Sequence, residues 1–281
     1  VNKSVNLAIK NGNMSSLNSL EELQLAQEMI SLHKWAGMAK FAKTGGEANA
    51  LAIRIARAYT NSDKIAVCGY HGWYDWYLAA NLDHKNNLKN HLSNNLKISG
   101  VPKSLKKTIF PFEYNNFNKF KRLVKNKKIK VVKMEIRRFD EPKDNFLQKI
   151  RKFTKKNNIL LIFDECTTGF RETLGGLHKK YKVNPDLAIF GKAMGNGYPI
   201  TSVVGKKKIM QKFDSTFASS TFWSDRIGYV AALKTISIMK KEKTYLKIEK
   251  IGKKIKKGWQ LISKRTGVGL KICGPNSFPT L

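Results

Sequence analysis

Ile159-Leu160-Leu161-Ile162-Phe163 runs straight into Asp164-Glu165, and Leu187-Ala188-Ile189-Phe190 runs straight into Gly191-Lys192. Unbroken apolar runs of this length read as buried strands rather than amphipathic elements, and each is followed by polar residues at its carboxyl end. Working outward from the first run, residues 144–157 read as a helix, 129–136 as a strand and 117–126 as another helix. Beyond the second run come a glycine-rich loop, a strand at 200–204 and a long basic helix pair at 225–264. Towards the amino terminus, Ser19 with Glu22 three residues on forms a capping-box pattern opening a helix over 19–36. A short strand at Met38–Phe41 follows, then an amphipathic helix over 47–60 carried by Ala48, Leu51, Ala52, Ile55, Ala56 and Tyr59. Lys64–Gly69 reads as a strand, and the Asn- and Lys-rich stretch 81–116 as a long excursion. Alternating strand and helix predicts an α/β fold with a mainly parallel sheet flanked by helices in three layers.

The composition fits this reading. A chain of 281 residues that is 42% hydrophobic can bury a core without cross-links or metals. No apolar run approaches the ~20 residues of a membrane span. Three cysteines, Cys68, Cys166 and Cys273, are odd in number and widely spaced, which points to a reduced, cytoplasmic setting. The net charge of +33 would suit a polyanion. Arginine, the residue that reads phosphates and bases bidentately, supplies only 9 of the 53 basic residues, and lysine is spread along nearly the whole chain. A coding bias towards A and T produces the same pattern, so nucleic acid is not the expected partner.

In open α/β sheets ligands bind beyond the carboxyl ends of the strands. Those ends deliver Asp164-Glu165, Gly191-Lys192, Glu135, and Gly69-Tyr70-His71-Gly72. A lysine and an acid on two such strands are what pyridoxal 5′-phosphate requires: an amine for its aldehyde, as a Schiff base, and a carboxylate for its ring nitrogen. A solvated lysine and a capping aspartate are the plainer alternative. Thr44-Gly45-Gly46 stands at a helix amino terminus, where free amides and the helix dipole suit a phosphate. The aromatic run Tyr70-His71-Gly72-Trp73-Tyr74 could supply a ring to stack on a flat cofactor, and Ser219-Ser220-Thr221 offers small hydroxyls.

With these stretches in place, the sequence resembles the class III pyridoxal-phosphate-dependent aminotransferases of fold type I, nearest the glutamate-1-semialdehyde 2,1-aminomutase-like branch. The matching text is Phe41-Ala-Lys-Thr-Gly-Gly-Glu-Ala-Asn49, Gly69-Tyr-His-Gly-Trp73, Leu161-Ile-Phe-Asp-Glu-Cys-Thr-Thr-Gly-Phe-Arg171, Pro185 through Ile200, and Ser220-Thr-Phe-Trp223. In order and spacing it runs from about residue 20 to 260. The resemblance implies residues 1–40 as a helical lead-in, 41–240 as the cofactor-binding large domain, and 241–281 as a linker helix with the start of a small domain. Val1 and the closing stretch from Gly269 read as cut ends, with most of the small domain missing.

The resemblance also implies roles. Lys192 would be the Schiff-base lysine and proton carrier, and Asp164 the partner of the ring nitrogen. Thr44, Gly45 and Gly46 would hold the phosphate, Tyr70 would stack on the ring with His71 near it, and Cys166 would pack the other face. Thr167 stands where many relatives have a glutamine contacting the ring hydroxyl. Thr221 would reach the phosphate in a partner subunit, which implies a homodimer. Glu135 would be a substrate gate, although Ile136 replaces the usual proline and a structural role fits it equally. Gly46 replaces a more usual threonine. The expected activity is transfer of an amino group from a small-molecule donor to a carbonyl acceptor. The alternatives are an intramolecular aminomutase, an inactive protein with the same fold, and a basic nucleic-acid-binding protein.

Overall fold

The computed structural model describes residues 1–14, 16–137 and 139–281. In chain order the elements are α1 (Asn2–Lys10), α2 (Leu20–Leu32), β1 (Met38–Ala42), α3 (Gly45–Thr60), β2 (Ile65–Cys68), α4 (Asp75–Leu78) and β3 (Ile109–Pro111). They continue with α5 (Phe117–Lys127), β4 (Val131–Glu135), α6 (Phe146–Lys156), β5 (Leu160–Glu165), β6 (Leu187–Phe190) and β7 (Thr201–Gly205). The last helices are α7 (Lys207–Met210), α8 (Arg226–Glu242) and α9 (Thr244–Thr266).

Among the described residues, seven strands form one sheet in the order β1-β7-β6-β5-β4-β2-β3. β3, β2, β4, β5 and β6 pair in parallel, whereas β7 runs antiparallel to both β6 and β1. Residues 191–200 are too few to carry a crossover helix, so β7 must return antiparallel to β6. The expected mainly parallel sheet is what the chain forms. Three details differ. β3 lies inside the stretch read as excursion, α1 had no counterpart in the sequence pattern, and α2 stops at Leu32 rather than 36. At that end His33 Nδ1 bonds back to Met29 O at 2.8 Å.

Strand alternation sorts the buried side chains onto two faces. Val67, Val131, Ile162 and Ile189 face α3, with Leu51, Ala52 and Ile55 packed against them. Val132, Met134, Leu161 and Phe163 face α5 and α6 on the other side, and Ala188, Phe190 and Val204 extend that side under α2 and α8. Leu161, Ile162 and Phe163 are wholly buried. Side chains so placed each stabilise the fold by about 1.5–3 kcal/mol relative to exposure. The sheet is therefore a largely apolar slab with acidic groups at the carboxyl ends of its strands. At the far end of the chain, Gly252 on α9 has no side chain because a Cβ there would overlap the Asn276 carbonyl.

Candidate active site

Five strand ends meet on one edge. β2, β4, β5 and β6 are parallel neighbours, so Gly69, Glu135, Asp164 and Gly191 emerge on the same side. β1 is antiparallel to β7, which is antiparallel to β6, so Ala42 ends there too and delivers Lys43-Thr44-Gly45 beside them. Thr201, at the start of β7, pairs with Ala42, and its Oγ1 donates to Thr44 O at 3.1 Å.

Asp164 lies on the α3 face of β5 and is buried. His71 Nδ1 donates to its Oδ2 at 2.9 Å and the Cys166 amide donates to its Oδ1 at 3.1 Å. Lys133 Nζ stands 3.5 Å from Oδ2. Burial alone would raise this carboxyl. The Lys133 charge, the His71 hydrogen bond and the Cys166 amide outweigh it and hold Asp164 well below the usual carboxylate range. Burial, then the neighbouring Lys133, pushes the His71 ring down to about 4, so at neutral pH it is an uncharged donor to Asp164. Its Nε2 is buried without a hydrogen-bond partner among the described residues.

Lys192 follows β6 directly and has φ 45°, in the left-handed region that a side chain disfavours. Its exposed amine donates to Thr167 Oγ1 at 3.0 Å. Thr167 is three residues from Asp164, so the amine is tied to the turn that leaves the acid. Cys166 lies between them. A Cβ placed on Gly45 or on Gly191 would come within 3.7 Å and 3.6 Å of Cys166 Sγ, which puts the thiol over the gap where the two glycines keep the floor open. Burial raises the thiol well above its usual range, so it is an uncharged apolar group. A cleft of about 910 Å³ opens beside Lys192, lined by Lys43, Gly45, Arg171, Tyr198 and Thr201 among others.

At the start of α3, Thr44 Oγ1 accepts from the Glu47 amide at 3.2 Å, and Glu47 Oε2 accepts from the Thr44 amide at 2.8 Å and the Lys43 amide at 2.9 Å. This capping box satisfies Glu47 and leaves the Gly45 and Gly46 amides as first-turn donors with no intrahelical acceptor. Gly46 carries no side chain for a steric reason: the Tyr74 ring occupies the place of its Cβ.

Glu135, Thr221 and His71 have contacts of their own. The Tyr70 amide donates to Glu135 Oε2 at 3.0 Å, and Gly69, at φ 111°, has no room for a Cβ beside that same carboxylate. Glu135 thus shapes the turn carrying Tyr70 and His71. Thr221 is exposed on a single helical turn, Thr221–Ser224, where its carbonyl accepts from Ser224 Oγ at 3.2 Å. His71 grips Asp164 and is buried against Trp76.

Sequence reading missed three groups. Glu165 alternates to the opposite face from Asp164, where it accepts from the amides of Leu177 and His178, from His178 Nδ1 at 2.6 Å and from Thr168 Oγ1 at 3.1 Å. Trp35 Nε1 donates to His178 Nε2 at 3.0 Å, and the Gly176 amide to His33 Nε2 at 3.1 Å. This network fixes the loop after β5. Tyr74 and Lys133 are the others; a lysine inside an otherwise apolar strand was the one available signal for the latter. Asp186, in the Pro-Asp motif, has an architectural place: it takes both Arg151 nitrogens and Lys206 and accepts from the Leu161 amide. Among the described residues no helix is long and apolar enough to cross a membrane, and no group of three or more His, Cys, Asp or Glu could hold a metal ion.

A family model described as aminotransferase class-III matches residues 2–272. The chain is 34% identical to a 3-aminobutyryl-CoA aminotransferase of Cloacimonas acidaminovorans over 96% of its own length and 64% of the relative. It is 32% identical to a glutamate-1-semialdehyde 2,1-aminomutase of Methanobrevibacter smithii, over 92% and 62% respectively. The chain therefore spans less than two thirds of these curated relatives. Its fold matches the PLP internal aldimine form of the FumI protein from Sphingopyxis sp. MTA144 with TM-score 0.87 at 24% identity, over 99% of this chain and 66% of that one. An omega-transaminase from Sphaerobacter thermophilus matches with TM-score 0.85 at 24% identity, over 98% and 66%.

Proposed function

Since the chain belongs to the class-III aminotransferase family, we propose that it binds pyridoxal 5′-phosphate at this sheet edge and transfers an amino group from a small-molecule amine to a carbonyl acceptor. The observation that carries this reading is a buried anionic Asp164 joined, through the short turn Glu165-Cys166-Thr167, to the amine of Lys192. The residues suit the cofactor chemically. A buried carboxylate can keep a ring nitrogen protonated, an exposed amine can take an aldehyde, and two unsatisfied amides at a helix start can take a phosphate.

When bound, the cofactor supplies an electrophilic carbon and a ring that accepts the electron pair left as a substrate loses its α-proton. Lys192 would hold the aldehyde carbon and, once released by the incoming amine, take and return the proton at the substrate α-carbon. Asp164, aimed by His71 and the Cys166 amide, would hold the proton at the ring nitrogen. Gly45 and Gly46, with the Thr44 hydroxyl close by, would hold the phosphate. Cys166 and Tyr70 would pack the two ring faces, with Thr167 at the ring's edge. Glu135 would act through the turn it supports. Thr221 from a second copy would complete the phosphate site, making a homodimer; the exposed rings of Phe217 and Phe222 beside it support an interface there.

An intramolecular amino shift is the second reading, supported by the aminomutase relatives. Supplying glutamate-1-semialdehyde without a second carbonyl compound separates the two, since only a mutase turns it over repeatedly. The central test is spectroscopic. The protein mixed with pyridoxal 5′-phosphate should show a visible absorbance band that borohydride bleaches, leaving the label on Lys192. A band unchanged in Lys192→Ala would overturn the proposal.

A further inference from the structure

Lys133 occupies the middle of β4, where its cross-strand neighbours are Val67 on β2 and Ile162 on β5. It is wholly buried. Among the described residues its Nζ has no hydrogen-bond partner, and Asp164 Oδ2 stands 3.5 Å away. The groups that act on it are Asp164, Cys166 and Glu135, and it acts in turn on His71. The Cys166 thiol is uncharged and the His71 ring neutral, for the reasons given above. Asp164 is thus the anion at ion-pair distance, with Glu135 two residues along the same face of β4.

An ammonium buried among aliphatic side chains is tolerated only beside an anion. The ring nitrogen of pyridoxal phosphate, bound as N–H⁺, calls on the same carboxylate. One buried Asp164 cannot match two cations, and burial has already biased Lys133 towards losing its proton despite the opposing pull of Asp164. We propose that Lys133 is the counter-ion of Asp164 in the cofactor-free protein and surrenders its proton as the cofactor's ring nitrogen arrives, so that cofactor loading releases a proton. This rests on the cofactor assignment above. In the step the Nζ–H bond breaks, the electron pair stays on Nζ, and the proton passes to the buffer; nothing is oxidised or reduced. Lys133 is then a positioning residue, holding Asp164 anionic until the cofactor replaces it.

The test counts protons by calorimetry. Pyridoxal 5′-phosphate is titrated into the cofactor-free protein in buffers of different ionisation enthalpy, for the parent, Lys133→Met and Lys133→Gln. The parent should release about one proton more than either variant, and its affinity should rise about tenfold more steeply per pH unit. Loss of packing alone would change affinity without changing this difference. Should Lys133→Met fail to fold by circular dichroism, Lys133→Gln, which keeps a polar head beside Asp164, gives the same comparison. Equal proton counts in the parent and a folded variant overturn this inference alone. Absence of any binding by the parent overturns it together with the cofactor assignment.

Discussion

His71 Nδ1 donates to Asp164 Oδ2 across 2.9 Å, joining residues 93 apart in the chain at a point where one is 1% and the other 4% exposed. The acid is therefore aimed and charged before any ligand arrives, with a neutral ring on one side and a buried lysine below.

Asp164→Asn should destabilise the protein strongly, because Lys133 loses the anion that pairs with its ammonium and can stay buried only by giving up its proton. Removing one partner of such a pair costs about 3–5 kcal/mol. The double variant Asp164→Asn with Lys133→Met should recover most of that loss. Urea unfolding of the four proteins of this cycle checks it, and additive losses would contradict the pairing.

Stability should fall as pH drops from about 6.5 towards 4. His33 and His71 are both pushed from 6.5 to about 4 in the folded chain, chiefly by burial. Their contribution is complete above the unfolded value, where both states are neutral, and is lost as the unfolded state takes up protons that the folded state refuses. Each histidine adds a slope of roughly 1.4 kcal/mol per pH unit within that window. Unfolding free energies measured between pH 5 and 7.5 for the parent and for His33→Gln should differ in slope by one histidine's share.

Gly46→Ala should cost about 1–3 kcal/mol, because the new methyl group meets the Tyr74 ring. Pairing it with Tyr74→Leu should relieve the clash and restore much of the thermal midpoint. A neutral Gly46→Ala variant would show that Tyr74 moves aside freely.

Lys192→Gly should make the protein more stable while abolishing the borohydride-fixed label. Its φ of 45° carries a left-handed penalty that glycine avoids. Set against glycine's extra unfolded-state entropy, the net gain is about 0.5–1 kcal/mol. A lower midpoint would mean that the Thr167 hydrogen bond outweighs the strain.

Much of the site was legible in the sequence because strand ends are local features. Apolar runs leading into Asp164 and Gly191-Lys192 place both residues at strand ends, and Thr44-Gly45-Gly46 stands directly before a helix that the apolar spacing marks. Glu165 shows the limit. Alternation says that it faces away from Asp164, but no local pattern says that His178, thirteen residues on, will fill that side. β3 was missed because Ile109–Pro111 is three residues long and carries too little periodicity to stand out from the polar stretch around it.

Local sequence sets the alternation of strands and helices, the buried slab they form and the residue types at its edge, since propensity, period and turn chemistry act over a few neighbours. The packing of distant segments set the rest: Thr201 meets Thr44, His71 rather than a nearer group secures Asp164, and Lys133 lies buried under that acid. Those outcomes depend on strand order and register, which bring distant residues within a few ångströms and set the local dielectric, and neither is written in the spacing of any one segment.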